Sequence, residues 1–201
     1  DSEGGTLTVG QAYAKSKRFA SQLHELGVPT EGRVGVFMFN SCEMVTAVFG
    51  IGYLRATAVM LNTELRTSFL RHQLNDCQVS VIVVDAALVE HLVSLADELP
   101  HLQTLIVVGG PVTGLPDAWR QVAWTDTLGC EPWHGVEPGP ADIFCIMYTS
   151  GTTGPSKGVL MPHCHCALLG LGAIRSMAIT PQDKYYICLP LFHANGLFMQ
   201  L

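Results

Sequence analysis

Charge is what this sequence has least of. Only 14% of its 201 residues are charged, 17 acidic against 11 basic, for a formal net charge of -6. No Lys/Arg cluster stands out, so the electrostatic footprint of a nucleic-acid binder is missing. Long apolar runs are missing too. The longest, MVTAVFGIGYL and ALLGLGAI, stop well short of a bilayer span, which leaves peripheral membrane contact open. The opening residues lack the texture of a secretory leader. Seven cysteines is an odd number without regular spacing, and Cys145 and Cys188 lie inside apolar runs. That pattern reads as reduced thiols in a cytoplasmic protein rather than a disulfide framework. Internal repeats and low-complexity tracts are also lacking.

What is present is ample core material, with 48% hydrophobic residues spread along the whole length. TVGQAYAKSKRFASQLHELG predicts an amphipathic helix, with Thr8 and Gln11 as a capping box and Gly27 at the stop. Val9, Tyr13, Phe19, Leu23 and Leu26 fall on one face of it. RVGVFMF reads as a strand bounded by Gly32 and Asn40. SCEMVTAVFGIGYLRA reads as a buried helix with Ser41 as its cap. AVMLN, SVIVVD and TLIVV read as strands, and TSFLRHQLNDC and AALVEHLVSLADELP as helices between them. Apolar strands alternating with helices predict an α/β fold with a mostly parallel sheet covered on both faces.

Gly and Pro enrich the stretch from Gly109 to Asp142, which predicts a connection, with RQVAWTDTL as a short segment inside it. Trp119, Trp124 and Trp133 are expected to anchor it. Strand and helix texture then resumes with IFCIMY, GVLMP, a helix over residues 163–177, KYYICLP and LFHANG. The division expected is a first α/β subdomain over 1–140 and the start of a second over 141–201. The first residues, DSEGG, and the last, GLFMQL, are expected to be cut points within a longer chain.

Between IFCIMY and GVLMP lies TSGTTGPSKG. A Walker loop needs G-x-x-x-x-G-K-[ST], which this spacing does not supply, and a Rossmann fingerprint fails as well. Its chemistry is nonetheless that of an anion cradle. Thr149, Ser150, Thr152 and Thr153 are short hydroxyl donors. Gly151 and Gly154 let backbone amides approach an anion closely, and Lys157 adds a mobile charge. A bare polar turn would not need so many hydroxyls.

IMYTSGTTGPSK resembles the signature loop of the adenylate-forming, AMP-binding superfamily, unbroken from Ile146 to Lys157. Within it the chain looks like part of a fatty-acid or carnitine-type acyl-CoA synthetase. PHCHC, PLFHANG and the opening helix and strand resemble further family motifs. In YLRATAVMLNTEL, Thr57 and Met60 stand where the family usually has Gly and Pro. The resemblance implies stacked α/β layers, and a two-step reaction in which ATP converts a carboxylate to an acyl-adenylate and coenzyme A then takes the acyl group. It implies that Thr149, Ser150, Gly151, Thr152, Thr153, Gly154 and Lys157 hold the ATP phosphates, with Thr152 also on Mg²⁺ and Lys157 assisting catalysis. It puts His193 at the junction of nucleotide, acyl group and thiol, with Asn195 and Gly196 beside the acid. Amino-acid-activating relatives commonly carry Asp at the position of His193. An imidazole offers no anion to an α-ammonium, so a simple acyl or aryl acid is favoured. Further ATP, metal and catalytic groups are expected beyond Leu201, so the chain alone is expected to be inactive. The partners implied are small molecules, with a homodimer conceivable. Two rivals stand beside this reading: an acyl-AMP ligase that loads a carrier protein, and a non-catalytic nucleotide-binding or scaffold module.

HCHC at residues 163–166 cannot wrap one metal ion, because adjacent helical residues point about 100° apart. Arg55, Arg66 and Arg71 read as solvated charges on helix faces.

Overall fold

The computed structural model describes residues 6–125, 129–149 and 156–200. Helix α1 (Val9–Glu25) begins with the capping box the sequence predicts, the Gln11 amide donating to Thr8 Oγ1 and the Thr8 amide to Gln11 Oε1. It stops before Gly27, whose φ of 83° turns the chain away. Strand β1 (Arg33–Phe37), helix α2 (Cys42–Tyr53), strand β2 (Thr57–Met60), helix α3 (Thr67–Asp76) and strand β3 (Val81–Asp85) follow. Ser41 Oγ caps α2 by accepting from the Met44 amide. Next come α4 (Val89–Val93), β4 (Thr104–Val108), β5 (Arg120–Ala123), β6 (Ile143–Tyr148), β7 (Gly158–Pro162), α5 (His163–Met177) and α6 (Ala194–Gln200).

The seven strands form one sheet in the order β5-β4-β3-β1-β2-β6-β7. Every pairing is parallel except β6 with β7. Residues on both sides of position 140 therefore share this sheet. Side chains alternate between its faces, as the pleat requires. Val34 and Val36 of β1 join α1 and α2 in one core, with Phe19, Leu23, Met44 and Ile51. Phe37 of β1 and Ile82 of β3 join α3 and α4 in the other, with Leu70, Leu74 and Leu92. A sheet covered on both faces leaves mainly its rims for chemistry.

Helices α1 and α2 approach closely at Gly50. A Cβ there would lie 2.7 Å from Phe19 Cδ1 and 2.8 Å from the Ser16 carbonyl oxygen. Beside that point Ser16 Oγ donates to the Thr46 carbonyl at 3.1 Å. At the far rim, β7 leaves Val159 and Leu160 open, and α5 leaves Leu168, Leu171, Ile174 and Met177 open.

Several elements differ from expectation, each for a local reason. Val9 and Tyr13 are exposed, because the first turns of α1 run past the core. Tyr13 stands edge-on to the Tyr53 ring, and the Lys17 ammonium lies 5.3 and 5.4 Å from the two ring centres. The helix expected over 86–100 is broken into α4 and two short 3-10 turns. Leu88, Val89, Leu92, Leu95 and Leu99 still enter one core, since their spacing already sets them on one helical face. RQVAWTDTL contributes a fifth parallel strand, β5, with Val122 buried in the same core as Trp124. KYYICLP forms no strand, having no ladder partner among the described residues. The tryptophans do anchor the connection: Trp124 packs on Phe19 at 5.0 Å and Trp133 on His24 at 5.0 Å.

Arg55, Arg66 and Arg71 are reached by solvent, as expected, but each also has a partner. Arg55 pairs with Asp142 at 2.8 Å, Arg66 Nη1 donates to the carbonyls of Thr63 and Leu65, and Arg71 pairs with Glu98. The Arg55 bond and the Gly139 amide hold the Asp142 carboxyl below its ordinary range. Arg55 itself takes a left-handed φ of 61° just past α2.

Candidate functional site

The carboxyl ends of β1, β2 and β6 lie side by side, since these three strands are parallel neighbours. At this edge β6 ends on Tyr148 and β7 begins on its register partner Gly158. The Thr149 amide donates to the Lys157 carbonyl at 3.1 Å and closes the neck between them. A Cβ at Gly158 would lie 2.9 Å from Ile146 Cγ2, so β7 starts where a bare backbone is needed. Thr149 and Lys157 are both exposed, as a group meeting a ligand must be. Ser150, Gly151, Thr152, Thr153 and Gly154 lie outside the described residues, and with them the expected hydroxyls, glycines and magnesium ligand.

The neck rests on α3. Tyr148 Oη donates to Asp76 Oδ2 at 2.6 Å and lies 3.1 Å from Cys77 Sγ. Burial and the Asp76 carboxylate push the phenol well above its ordinary pKa, so it stays a donor. On the returning side, His72 Nε2 lies 2.9 Å from the Ser156 carbonyl, and Gln73 Nε2 donates to Ser156 Oγ at 3.3 Å. The His72 ring stands edge-on to Tyr148, 6.2 Å between centres.

The second segment is pinned from the other face. Asn40 sits just past β1. Its Nδ2 donates to the Leu189 carbonyl at 2.9 Å, and its Oδ1 accepts the Leu191 amide at 2.8 Å. Leu191 and Phe192 are buried in the core beside α2, while His193 and Asn195 stay exposed. The His193 amide donates to the Pro190 carbonyl at 3.1 Å, and the His193 carbonyl accepts from Leu197 at 2.9 Å as α6 begins. The imidazole rests on Phe192 with 4.6 Å between ring centres. Gly196 is shut in: a Cβ there would lie 2.3 Å from the Pro190 carbonyl oxygen, so its role is to let α6 start this close.

Of the expected residues, the structure brings Thr149 and Lys157 together at the neck, and holds His193 and Asn195 at the same carboxyl edge of the sheet. Sequence reasoning missed the groups that hold them. Asn40 reads in the sequence only as a strand boundary, and its partners lie 149 and 151 residues away. His72, Gln73 and Asp76 read as ordinary polar positions of a helix. Asp85, at the end of β3, accepts the Phe39 amide at 2.6 Å, and burial raises its pKa.

His163 lines a cavity of about 350 Å³ with Phe49, Tyr53, Phe144, Cys166 and Phe198. Its ring packs edge-on against Phe144 at 4.9 Å, its Nε2 has no partner among the described residues, and burial lowers its pKa. Among the described residues no three His, Cys, Asp or Glu side chains converge on one point. No helix among the described residues is long and apolar enough to cross a membrane.

Comparison with known proteins gives a consistent result. The family described as AMP-binding enzyme matches the chain over residues 1–201. A 2-succinylbenzoate--CoA ligase of Bacillus subtilis (strain 168) is 31% identical over 199 residues, which is 97% of this chain and 36% of that protein. One of Bacillus cereus (strain Q1) is 28% identical over 191 residues, 95% of this chain and 35% of that protein. The chain thus spans just over a third of the length of these relatives. Among solved structures, the anthranilate CoA ligase AuaEII in complex with anthranoyl-AMP superposes with a TM-score of 0.82 at 27% identity, over 95% of this chain and 37% of that one.

Proposed function

The chain belongs to the AMP-binding enzyme family, and on that premise we propose that it is part of an ATP-dependent acid–thiol ligase. In the first step a carboxylate oxygen attacks the α-phosphorus of ATP. A C–O–P bond forms, the bond to the β-phosphate breaks, and pyrophosphate leaves. In the second step a thiol sulfur attacks the acyl carbon and AMP leaves. The first step replaces a poor leaving group by AMP, so the protein's tasks are positioning and charge neutralisation. Lys157 and the backbone from Thr149 to Gly154 take the β- and γ-phosphates, and magnesium accompanies the nucleotide. His193 stands where nucleotide, acid and thiol meet, with Asn195 beside it. Coenzyme A is the proposed thiol.

The observation that carries this reading is topological. The neck of the phosphate segment and the His193 turn reach the same carboxyl edge of one mostly parallel sheet from opposite faces. In open α/β sheets that edge is where ligands bind. The acid proposed is an acyl or aryl carboxylate without an α-ammonium, because His193 supplies no counter-anion for one. Aromatic acids are the first to test, since the names of the relatives include 2-succinylbenzoate and anthranilate.

The test is ATP–pyrophosphate exchange by the full-length protein over a panel of aryl and aliphatic carboxylates, followed by thioester formation with coenzyme A. Exchange with at least one acid is expected. ATP binding without exchange for any acid would leave a non-catalytic binding module instead.

A further inference from the structure

Helix α3 does more than cover the sheet. Leu70 and Leu74 bury one side of it in the core, and Gln73 is buried beside them, so its orientation is fixed. From that rigid base three side chains reach both stems of the phosphate segment. Asp76 accepts the Tyr148 hydroxyl at 2.6 Å on the outgoing stem. His72 and Gln73 hold Ser156 at 2.9 and 3.3 Å on the returning stem. A carbonyl oxygen only accepts, so His72 Nε2 carries the proton that points at Ser156. Without α3, the neck would rest on the Thr149–Lys157 bond and the β6–β7 ladder at the rim of the sheet. Rim pairings open more easily than central ones.

We propose that α3 is a clamp for the neck of the phosphate segment, and that His72, Gln73 and Asp76 are positioning residues for ATP. This rests on the acyl-adenylate reading above. The clamp fixes the directions in which the chain leaves Tyr148 and returns through Ser156. Thr149 and Lys157, at the two ends of the neck, are then held in place before ATP arrives, and less of the binding energy is spent on ordering them.

The test uses the full-length protein with the double variant His72→Leu/Gln73→Met, and with His72→Gln as the variant that keeps a side-chain donor. Two hydrogen bonds of ordinary strength correspond to about a tenfold effect. In the double variant the Thr149 amide is expected to exchange with solvent about tenfold faster. KM for ATP is expected to rise about tenfold, while KM for the acid stays within about twofold. His72→Gln is expected to restore most of the ATP affinity. The clamp is overturned if Thr149 exchange and KM for ATP are unchanged in the double variant. It is equally overturned if both KM values rise together with a general loss of stability, or if His72→Gln loses as much ATP affinity as the double variant. Should the wild-type protein show no acid-dependent exchange, the enzymatic reading falls, and Thr149 protection alone decides whether α3 clamps the neck.

Discussion

Replacing Asn40 by Ala removes two hydrogen bonds at once, those to the Leu189 carbonyl and from the Leu191 amide. Both distances, 2.9 and 2.8 Å, are those of full-strength bonds. Asn40 is exposed, so water can take over part of what is lost. Each bond is then worth the lower half of the usual range, and the pair about 1 to 1.5 kcal/mol. What this holds down is the turn that presents His193. Buried Leu191 and Phe192 stay attracted to the core, so the turn loosens rather than leaves. Native-state hydrogen exchange reads the effect directly: the Leu191 amide is expected to exchange roughly five- to twelvefold faster in Asn40→Ala. Asn40→Asp keeps the acceptor for Leu191, so its Leu191 amide is expected to exchange more slowly than that of Asn40→Ala, although the carboxylate now opposes the Leu189 carbonyl. KM for the acid should rise in Asn40→Ala, with KM for ATP little changed. Wild-type exchange at Leu191 in Asn40→Ala would refute the reasoning, because the side-chain bonds would then hold nothing.

Three further outcomes follow from the same geometry. Gly50→Ala gains about 1 kcal/mol of helix propensity but sets a Cβ 2.8 Å from a backbone oxygen that cannot rotate away. A net loss of about 1 to 2 kcal/mol is expected in urea unfolding, whereas Gly172→Ala, with no atom within 4 Å of its Cβ, should stabilise. His163 has its pKa lowered by burial, outweighing Asp142, so the unfolded chain binds its proton more readily and stability rises with pH. That contribution is complete above the unfolded value of about 6.5 and is lost on acidification towards the lowered folded value. His163→Phe should flatten the urea midpoint between about pH 5 and 7, a window in which Asp142 stays ionised. Lys157→Met should raise KM for ATP by about tenfold or more in pyrophosphate exchange and leave the urea midpoint unchanged, since its side chain is exposed.

The legible parts of the fold were those whose cause is local. Thr8 with Gln11, Ser41 before CEMV, and Gly27 after HEL each announce a helix end through groups within four residues. The buried strands announce themselves through unbroken apolar runs. By contrast β5 is a short edge strand, half of it polar, and only Val122, flanked in the sequence by Trp119 and Trp124, gives it away. KYYICLP has a strand's composition but meets no partner, and pairing is not written in composition. The candidate site divides in the same way. Thr149, Lys157 and His193 were legible because motif and chemistry coincide. Asn40, His72, Gln73 and Asp76 were not, because each acts on a segment more than 70 residues away.

The outer side of β7 has a colloidal consequence. An edge strand with Val159 and Leu160 open, next to an α5 face with Leu168 and Leu171 open, is a template on which like surfaces adhere. A net charge of only -6 over 201 residues gives little repulsion to oppose this, and salt screens what there is. Handled as this chain alone, the protein should scatter more light as concentration and ionic strength rise. Leu160→Lys and Leu168→Lys should clear the solution without moving the urea midpoint.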